Sequence, residues 1–354
     1  MNAFINGIGL ISPQKTVETQ DFLSEIMEYD SGYMKCIEPI SYKPYIDPIQ
    51  SRRMSRLIKM GIASAKICMN ESGCTMPDAI ITGTGLGSVE DTEKILGTIH
   101  LDQPFLNPTP FMQSTYNTIS SQIAIQLKCH NYNSTYVHRT FSFESSLQDA
   151  LLQFAEGTAK DFLVGGIDEM TLNHLAITGR AGHWKKEAVR SLEMLNWDSK
   201  GSMAGEGSGF FLLSDSRSEK TYARIRDVKT TYRPDSLDEI KTKTELMLSN
   251  AGLKISDVDL VLTGINGDNR TDQFYYNFRK SIFPDSALAY YKHLCGEYHT
   301  SSAFALWLAA NILRTQTIPD IIRINDKSCD PIRHILLYNQ YYNVNHSLIL
   351  VSSV

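Results

Sequence analysis

The chain has 354 residues, 42% hydrophobic and 21% charged, a globular composition too apolar for a disordered or collagen-like polymer and long enough for two ordinary domains or one large one. Its 34 Lys and Arg stand against 39 Asp and Glu, a net charge of −5. With no basic run longer than Arg52-Arg53 or Lys185-Lys186, a protein whose main work is gripping phosphate backbones is disfavoured. Six cysteines without a CxxC or another close pair argue against a zinc ribbon and a disulfide framework, so a reduced, cytoplasmic setting is expected.

In chain order, Ala3 to Ile11 reads as a strand, with neither the basic start nor the small-residue cleavage site of a signal peptide. A helix is expected over Arg53 to Ser72, stopped by Gly73. A short aliphatic strand, Asp78 to Thr82, leads to Gly83, Gly85 and Gly87. Helices are expected over Thr118 to Leu127 and Ser145 to Glu156, and a strand over Asp161 to Val164 ahead of Gly165-Gly166. The polar stretch Asp215 to Lys220 separates the apolar run Phe210 to Leu213 from a second series of elements. That series comprises a helix over Ser236 to Ala251, a strand over Asp259 to Leu262 before Gly264 and Gly267, and a helix over Ser301 to Leu313. The last helix is too short to span a bilayer and reads as buried. This alternation predicts an α/β fold of two similar halves, divided as residues 1–218 and 219–354, with its site at the glycine-marked strand ends.

Gly83-Thr84-Gly85-Leu86-Gly87 is not a dinucleotide fingerprint, because the third glycine comes one residue early. It reads as a tight turn, and no cofactor is expected. Several blocks in order carry a likeness that runs almost end to end. They are Ile5 to Pro13, Arg52 to Arg56, Gly83 to Gly87, Gly165-Gly166-Ile167-Asp168-Glu169, Gly205-Glu206-Gly207-Ser208-Gly209, Ala251 to Gly267 and Lys292 to Trp307. Together they resemble the β-ketoacyl synthases of the thiolase-like fold. The resemblance implies two pseudo-duplicated βαβαβαββ halves in a five-layer αβαβα arrangement. It also implies a nucleophilic Cys at a helix start, where dipole and backbone amides favour a thiolate, and two histidines that stabilise charge during decarboxylative condensation on an acyl carrier protein.

Counting from Asn117 without a gap puts Thr140 at the family's Cys position. Gly264 falls at the first His position and Glu297 at the second, leaving Lys292 alone of the usual set. A threonine hydroxyl needs an adjacent base, glycine supplies none, and a carboxylate would repel a developing oxyanion. Gln340 to Asn345, where the family has a glycine-rich loop, carries no glycine. The resemblance therefore implies a catalytically inactive subunit of the chain-length-factor type, of the type II polyketide or aryl polyene kind. Such a subunit pairs with an active ketosynthase and shapes its acyl tunnel; the usual Gln at the Cys position is absent here, so no decarboxylase activity is carried over. Phe111, Met112 and Tyr116, in the segment matching the family's interface, are the expected tunnel or gating residues.

Other readings stay open at this point. Thr140 or Ser142 with His138 or His299 could make an independent acyltransferase or hydrolase, although no G-x-S-x-G elbow is present. A homodimeric scaffold binding an acidic carrier protein would use Arg52, Arg53 and Arg56. His293, Cys295, Glu297 and His299 would share one face of an extended segment, but no metal site is expected from so local a run.

Overall fold

The computed structural model describes every residue except 1–2, 18, 20–21, 31, 102–104, 106 and 328. Aliphatic runs buried on both faces form its central strands, as expected where helices cover both sides of a sheet. In the N-terminal half these are β1 (Ala3–Ile11), β3 (Ala79–Gly83), β5 (Asp161–Asp168) and β7 (Gly207–Ser214), with the polar β4 (Tyr132–Tyr136) at the edge. Two short strands, β2 (Tyr33–Met34) and β6 (Ala204–Gly205), pair with each other beside them. The C-terminal half supplies β8 (Ala223–Tyr232), β9 (Leu260–Thr263), β10 (Ala287–Tyr290), β11 (His334–Tyr341) and β12 (Asn345–Ser352).

One continuous ladder runs β10-β9-β11-β12-β8-β1-β7-β5-β3-β4, and the halves join where β1 pairs antiparallel with β8 over Ala3 to Ile5. Read outward from that join, each half shows two antiparallel pairings and then two parallel ones. The five strands of each half also follow the same chain order, which is the duplication the sequence implied.

The helices are α1 (Pro48–Ser51), α2 (Arg56–Ser72), α3 (Val89–His100), α4 (Pro108–Gln113), α5 (Thr118–Leu127) and α6 (Ser142–Glu156) in the first half. After them come α7 (Leu172–Arg180), α8 (Leu237–Asn250), α9 (Asp272–Ile282), α10 (Lys292–Cys295) and α11 (Ser302–Thr315). Leu57, Ile62 and Ile123 of α2 and α5 pack against Leu163 and Leu212 on the outer face of the first sheet. Leu147 of α6 and Leu308 of α11 lie between the sheets, among Phe162 and Leu213 on one side and Leu337 and Val351 on the other. Ile240 and Phe278 of α8 and α9 cover Val261, Leu336 and Leu350 on the far face. The result is five layers, αβαβα.

Some boundaries differ from the sequence reading. α6 begins three residues early, at Ser142, whose hydroxyl accepts from the His138 N–H at 2.8 Å and so fixes the helix entry. α2 begins at Arg56, because Pro48–Ser51 forms a separate short helix capped by the Asp47 carboxylate. Gly165-Gly166 lies within β5 rather than ending it. A Cβ on Gly165 would overlap the Phe210 ring and one on Gly166 would crowd Phe143, so the glycines admit aromatic rings on both faces.

The two outer edges of the ladder are unlike. On β4 every residue is exposed or half-buried. β10 is wholly buried and covered, since the Ile324 N–H bonds to the Leu288 carbonyl at 2.9 Å, Asn325 Oδ1 accepts from the Leu288 N–H at 3.0 Å, and Ala289 bridges to Arg323. No helix among the described residues is long and apolar enough to cross a membrane.

Candidate functional site

At the C-terminal ends of β3, β4 and β5 the chain turns into α6 through a 3-10 turn over Arg139–Phe141. Arg139 takes a left-handed φ of 49°, a conformation costly for a bulky side chain. Thr140, expected at the nucleophile position, is buried, and its Oγ1 accepts a hydrogen bond from Asn345 Nδ2 at 2.7 Å. Ser142 is buried too, its hydroxyl directed at the carbonyls of Arg139 (2.7 Å) and Thr84 (2.9 Å). His138 stacks flat on Phe141 with ring centroids 5.4 Å apart. Among the described residues no hydrogen bond joins the ring of His138 or His299 to Thr140 or Ser142, so the nucleophile-base pair of an independent hydrolase is not assembled.

The space a histidine would need at position 264 is occupied. A Cβ on Gly264 would fall within contact distance of Asn339 Oδ1, the Tyr275 hydroxyl and Lys292 Cε. Glu297 is not the bare repulsive charge that the sequence suggested. Lys292 Nζ and Asn266 Nδ2 each donate to its Oε2 at 2.7 Å, and both charged side chains are buried. Lys292 therefore neutralises Glu297.

Three hydrogen-bonded ties cross from one half to the other here. Besides Asn345 to Thr140, the Ser347 hydroxyl donates to Glu144 Oε1 at 2.9 Å, and the Thr300 N–H and hydroxyl donate to Asp168 Oδ2 at 2.9 and 2.8 Å. Asp168 Oδ1 accepts from Gly85 N (2.7 Å) and Thr84 Oγ1 (3.1 Å). Burial nevertheless pushes the Asp168 carboxyl up to about 6, against those four bonds. Glu144 lies in the first turn of α6, fully buried, near the Ser302 hydroxyl that opens α11. Among the described residues its Oε2 has no partner within hydrogen-bond geometry, and burial raises its pKa to about 7. Asp272, bonded to the N–H groups of Asn266 and Gly267, is likewise raised to about 7 by burial.

Beside Thr140 remains a cavity of about 200 Å³, bounded by Arg139, Asp168, His174, Trp184, His299 and Tyr341. Its roof is the β11–β12 turn, where Tyr342 and Asn343 both take left-handed φ without a glycine. That turn sets Tyr341 against His299 at 5.6 Å between centroids and Tyr342 against His183 at 5.1 Å, with the Arg270 guanidinium 5.5 Å from the Tyr342 ring. A larger, open groove of about 810 Å³ lies at the opposite end of the second sheet, around Val258, Phe283 and Arg333, far from these residues.

The remaining expected site residues fall elsewhere. Phe111, Met112 and Tyr116 point outward, 63%, 60% and 52% exposed, so within this chain they line no interior tunnel. Arg52 and Arg53 are exposed, but Arg56 is not free for a carrier protein: it forms ion pairs with Glu206 and Glu38, and Glu206 is fully buried. The run from His293 to His299 is not an extended ligand ladder. Its first half is helix α10, His293 stacks on Tyr290 at 3.8 Å, and among the described residues no three His, Cys, Asp or Glu side chains are placed to hold a metal ion. Sequence reasoning missed Glu144, Asn266, Asp272 and Asn345. Asp168, at the end of the Gly165 to Glu169 block, was the one with a signal.

Two duplicated halves stacked into five layers, meeting at the N-termini of α6 and α11, define the thiolase-like fold. Residues 37–173 match the family model described as beta-ketoacyl synthase, N-terminal domain. Over 100% of this chain and 99% of the other, the structure superposes on the ishigamide ketosynthase/chain length factor with a TM-score of 0.83 at 17% identity. It matches a β-ketoacyl synthase from Burkholderia phymatum STM815 with a TM-score of 0.78 at 13% identity, covering 100% and 99% of the two chains. The ketosynthase ApeO in complex with its chain length factor ApeC from Xenorhabdus doucetiae gives 0.76 at 14% identity, covering 100% and 98%. No curated protein matches the sequence. The chain thus has the β-ketoacyl synthase fold throughout, with an N-terminal segment that matches that family's own model.

Proposed function

We propose that this chain is a non-catalytic ketosynthase-like subunit that pairs with an active β-ketoacyl synthase and shapes its acyl tunnel during chain elongation on an acyl carrier protein. The observation that carries this reading is that each residue expected at a catalytic position is engaged in internal structure. Thr140 is tied to Asn345, the place of the first histidine is filled by Asn339, Tyr275 and Lys292, and Glu297 is neutralised by Lys292. The outward face supports a partner. Phe105, Phe111 and Met112 are 87%, 63% and 60% exposed, and they adjoin the half of the molecule that ends in the uncovered edge strand β4. Exposed apolar groups and an open edge of this kind favour burial against another protein. The partners named in the ishigamide and ApeO–ApeC structures, a ketosynthase with a chain length factor, point the same way. The same reading takes 1–218 and 219–354 as the two thiolase-like halves and places the chain in the cytoplasm.

The test is intact-protein mass spectrometry with an acyl-loaded carrier protein, offered to this chain alone and to this chain mixed with a catalytic ketosynthase from the same source. The expected result is no acyl mass on this chain in either sample, with a stable complex and elongated product only in the mixture. Acylation of this chain alone would overturn the proposal.

A further inference from the structure

We infer that the cavity beside Thr140 is a binding site for a small organic acid with a flat apolar body, its carboxylate held by Arg139. The inference goes beyond the partner-subunit reading and needs no partner. Accounting for donors and acceptors around the cavity leads to it. The carboxylates that face the space are largely committed to protein donors: Asp168 accepts four hydrogen bonds, Glu297 Oε2 accepts from Lys292 and Asn266, and Glu169 Oε1 accepts the Glu90 N–H at 2.9 Å. The donors are not committed. Arg139 has neither an ion pair nor a hydrogen bond to its guanidinium among the described residues, although its charge is felt at His299 and Tyr341. His299 is half-buried, with no partner for Nδ1 among the described residues, and desolvation keeps its imidazole neutral, at about 4, so it offers a ring nitrogen without adding charge.

An unpaired guanidinium beside neutral imidazoles is complementary to a carboxylate, which accepts a planar, two-point contact from arginine. The backbone supports the placement. The left-handed φ of Arg139 is maintained by the Ser142 hydroxyl on its carbonyl, and a strained non-glycine residue held in this way is a sound starting point for a functional hypothesis. The remaining walls are apolar or aromatic, with Leu86, Met170, Trp184 and Tyr341. A cavity of about 150 Å³ is enough for a benzene ring. The about 200 Å³ present here therefore fits one ring carrying a carboxylate.

Benzoate is the probe. Titrated into the full-length chain alone and followed by calorimetry and by tryptophan fluorescence, it is expected to bind saturably. Benzamide, of the same shape without the charge, should bind at least about tenfold more weakly, as should benzoate to Arg139→Gln, the loss of one charge-assisted contact. Thermal melting confirms that the variant is folded. Hydrogen exchange on the wild-type protein should show benzoate slowing amides near 168–184 and 341 and leaving the groove around Phe283 unchanged. Binding that never saturates, equal affinity for benzamide, an unaffected Arg139→Gln, or protection only at the Phe283 groove would each overturn the inference. None of these results bears on whether the chain acylates or pairs with a ketosynthase, so the two proposals fail separately.

Discussion

A histidine cannot simply be put back at position 264. Its Cβ would meet Asn339, Tyr275 and Lys292 at the end of β9, so Gly264→His is an overpacking substitution expected to cost about 1–3 kcal/mol without creating acyl transfer. Urea unfolding of the variant with the acylation assay beside it checks both halves of that statement. Lys292 and Glu297 are expected to behave as one unit. Lys292→Met strands a buried carboxylate and should lose about 3–5 kcal/mol, whereas Lys292→Met with Glu297→Gln should recover much of the loss. Additive losses in the double variant would show that the pair is not coupled. The expectation that Thr140, Gly264 and Glu297 stand at the family's catalytic positions comes from the sequence, through the count from Asn117 and the retained glycines. Their bonds do not. Asn345 lies 205 residues from Thr140, and nothing in its local sequence says that a hairpin will carry it there.

Among the elements, those with strong periodicity and a glycine stop were legible: α5 agrees residue for residue with its expected span, and α2 ends at Ser72 before Gly73 in left-handed conformation. Elements whose shape depends on tertiary contact were not. The shared face that His293, Cys295, Glu297 and His299 would have on an extended segment is lost because Lys292–Cys295 coils into α10, all four of its residues buried. α4 carries the main prediction at this scale. Its Phe111 and Met112 project from the surface, so their trimming should leave this chain's own stability within about 0.5 kcal/mol. In the reconstituted pair Phe111→Ala or Met112→Ala should lengthen the products, because large side chains in a closed apolar tube limit the methylenes that fit. Mass spectrometry of the products decides it, and an unchanged distribution would remove these residues from the tunnel.

For the whole molecule, the duplicated α/β plan was legible in the repeated strand-glycine pattern, while the manner in which the halves are bonded together was not. Those bonds carry a pH dependence. The Glu144 carboxyl, on the seam between α6, α11 and β12, has a folded-state pKa of about 7 against an unfolded value of about 4.5. The native state therefore holds the extra proton, and stability is greatest below the unfolded value and declines as the pH rises through about 7. Asp272 and Glu169, also raised to about 7 by burial, act in the same direction. The buried histidines, His293 held at about 3 and His299 and His346 at about 4, act in the opposite direction, so the Glu144 contribution is read from its own substitution. Glu144→Gln, which keeps the acceptor for Ser347, should stabilise the protein at pH 8 by up to about 3 kcal/mol and change little at pH 4.5. Equal effects of the substitution at both pH values would exclude this role for Glu144.

Duplication gives the molecule two outer strands in equivalent positions, and only one of them is uncovered. Two open edges would make each molecule a link, able to take a neighbour at both ends and grow without limit. Here the segment from Arg323 to Asn325 occupies the β10 side, which leaves the chain with a valence of one. If the proposed partner adds to β4, this chain can take no second neighbour by the same means at its other end, and the assembly stops at a pair on this chain's side.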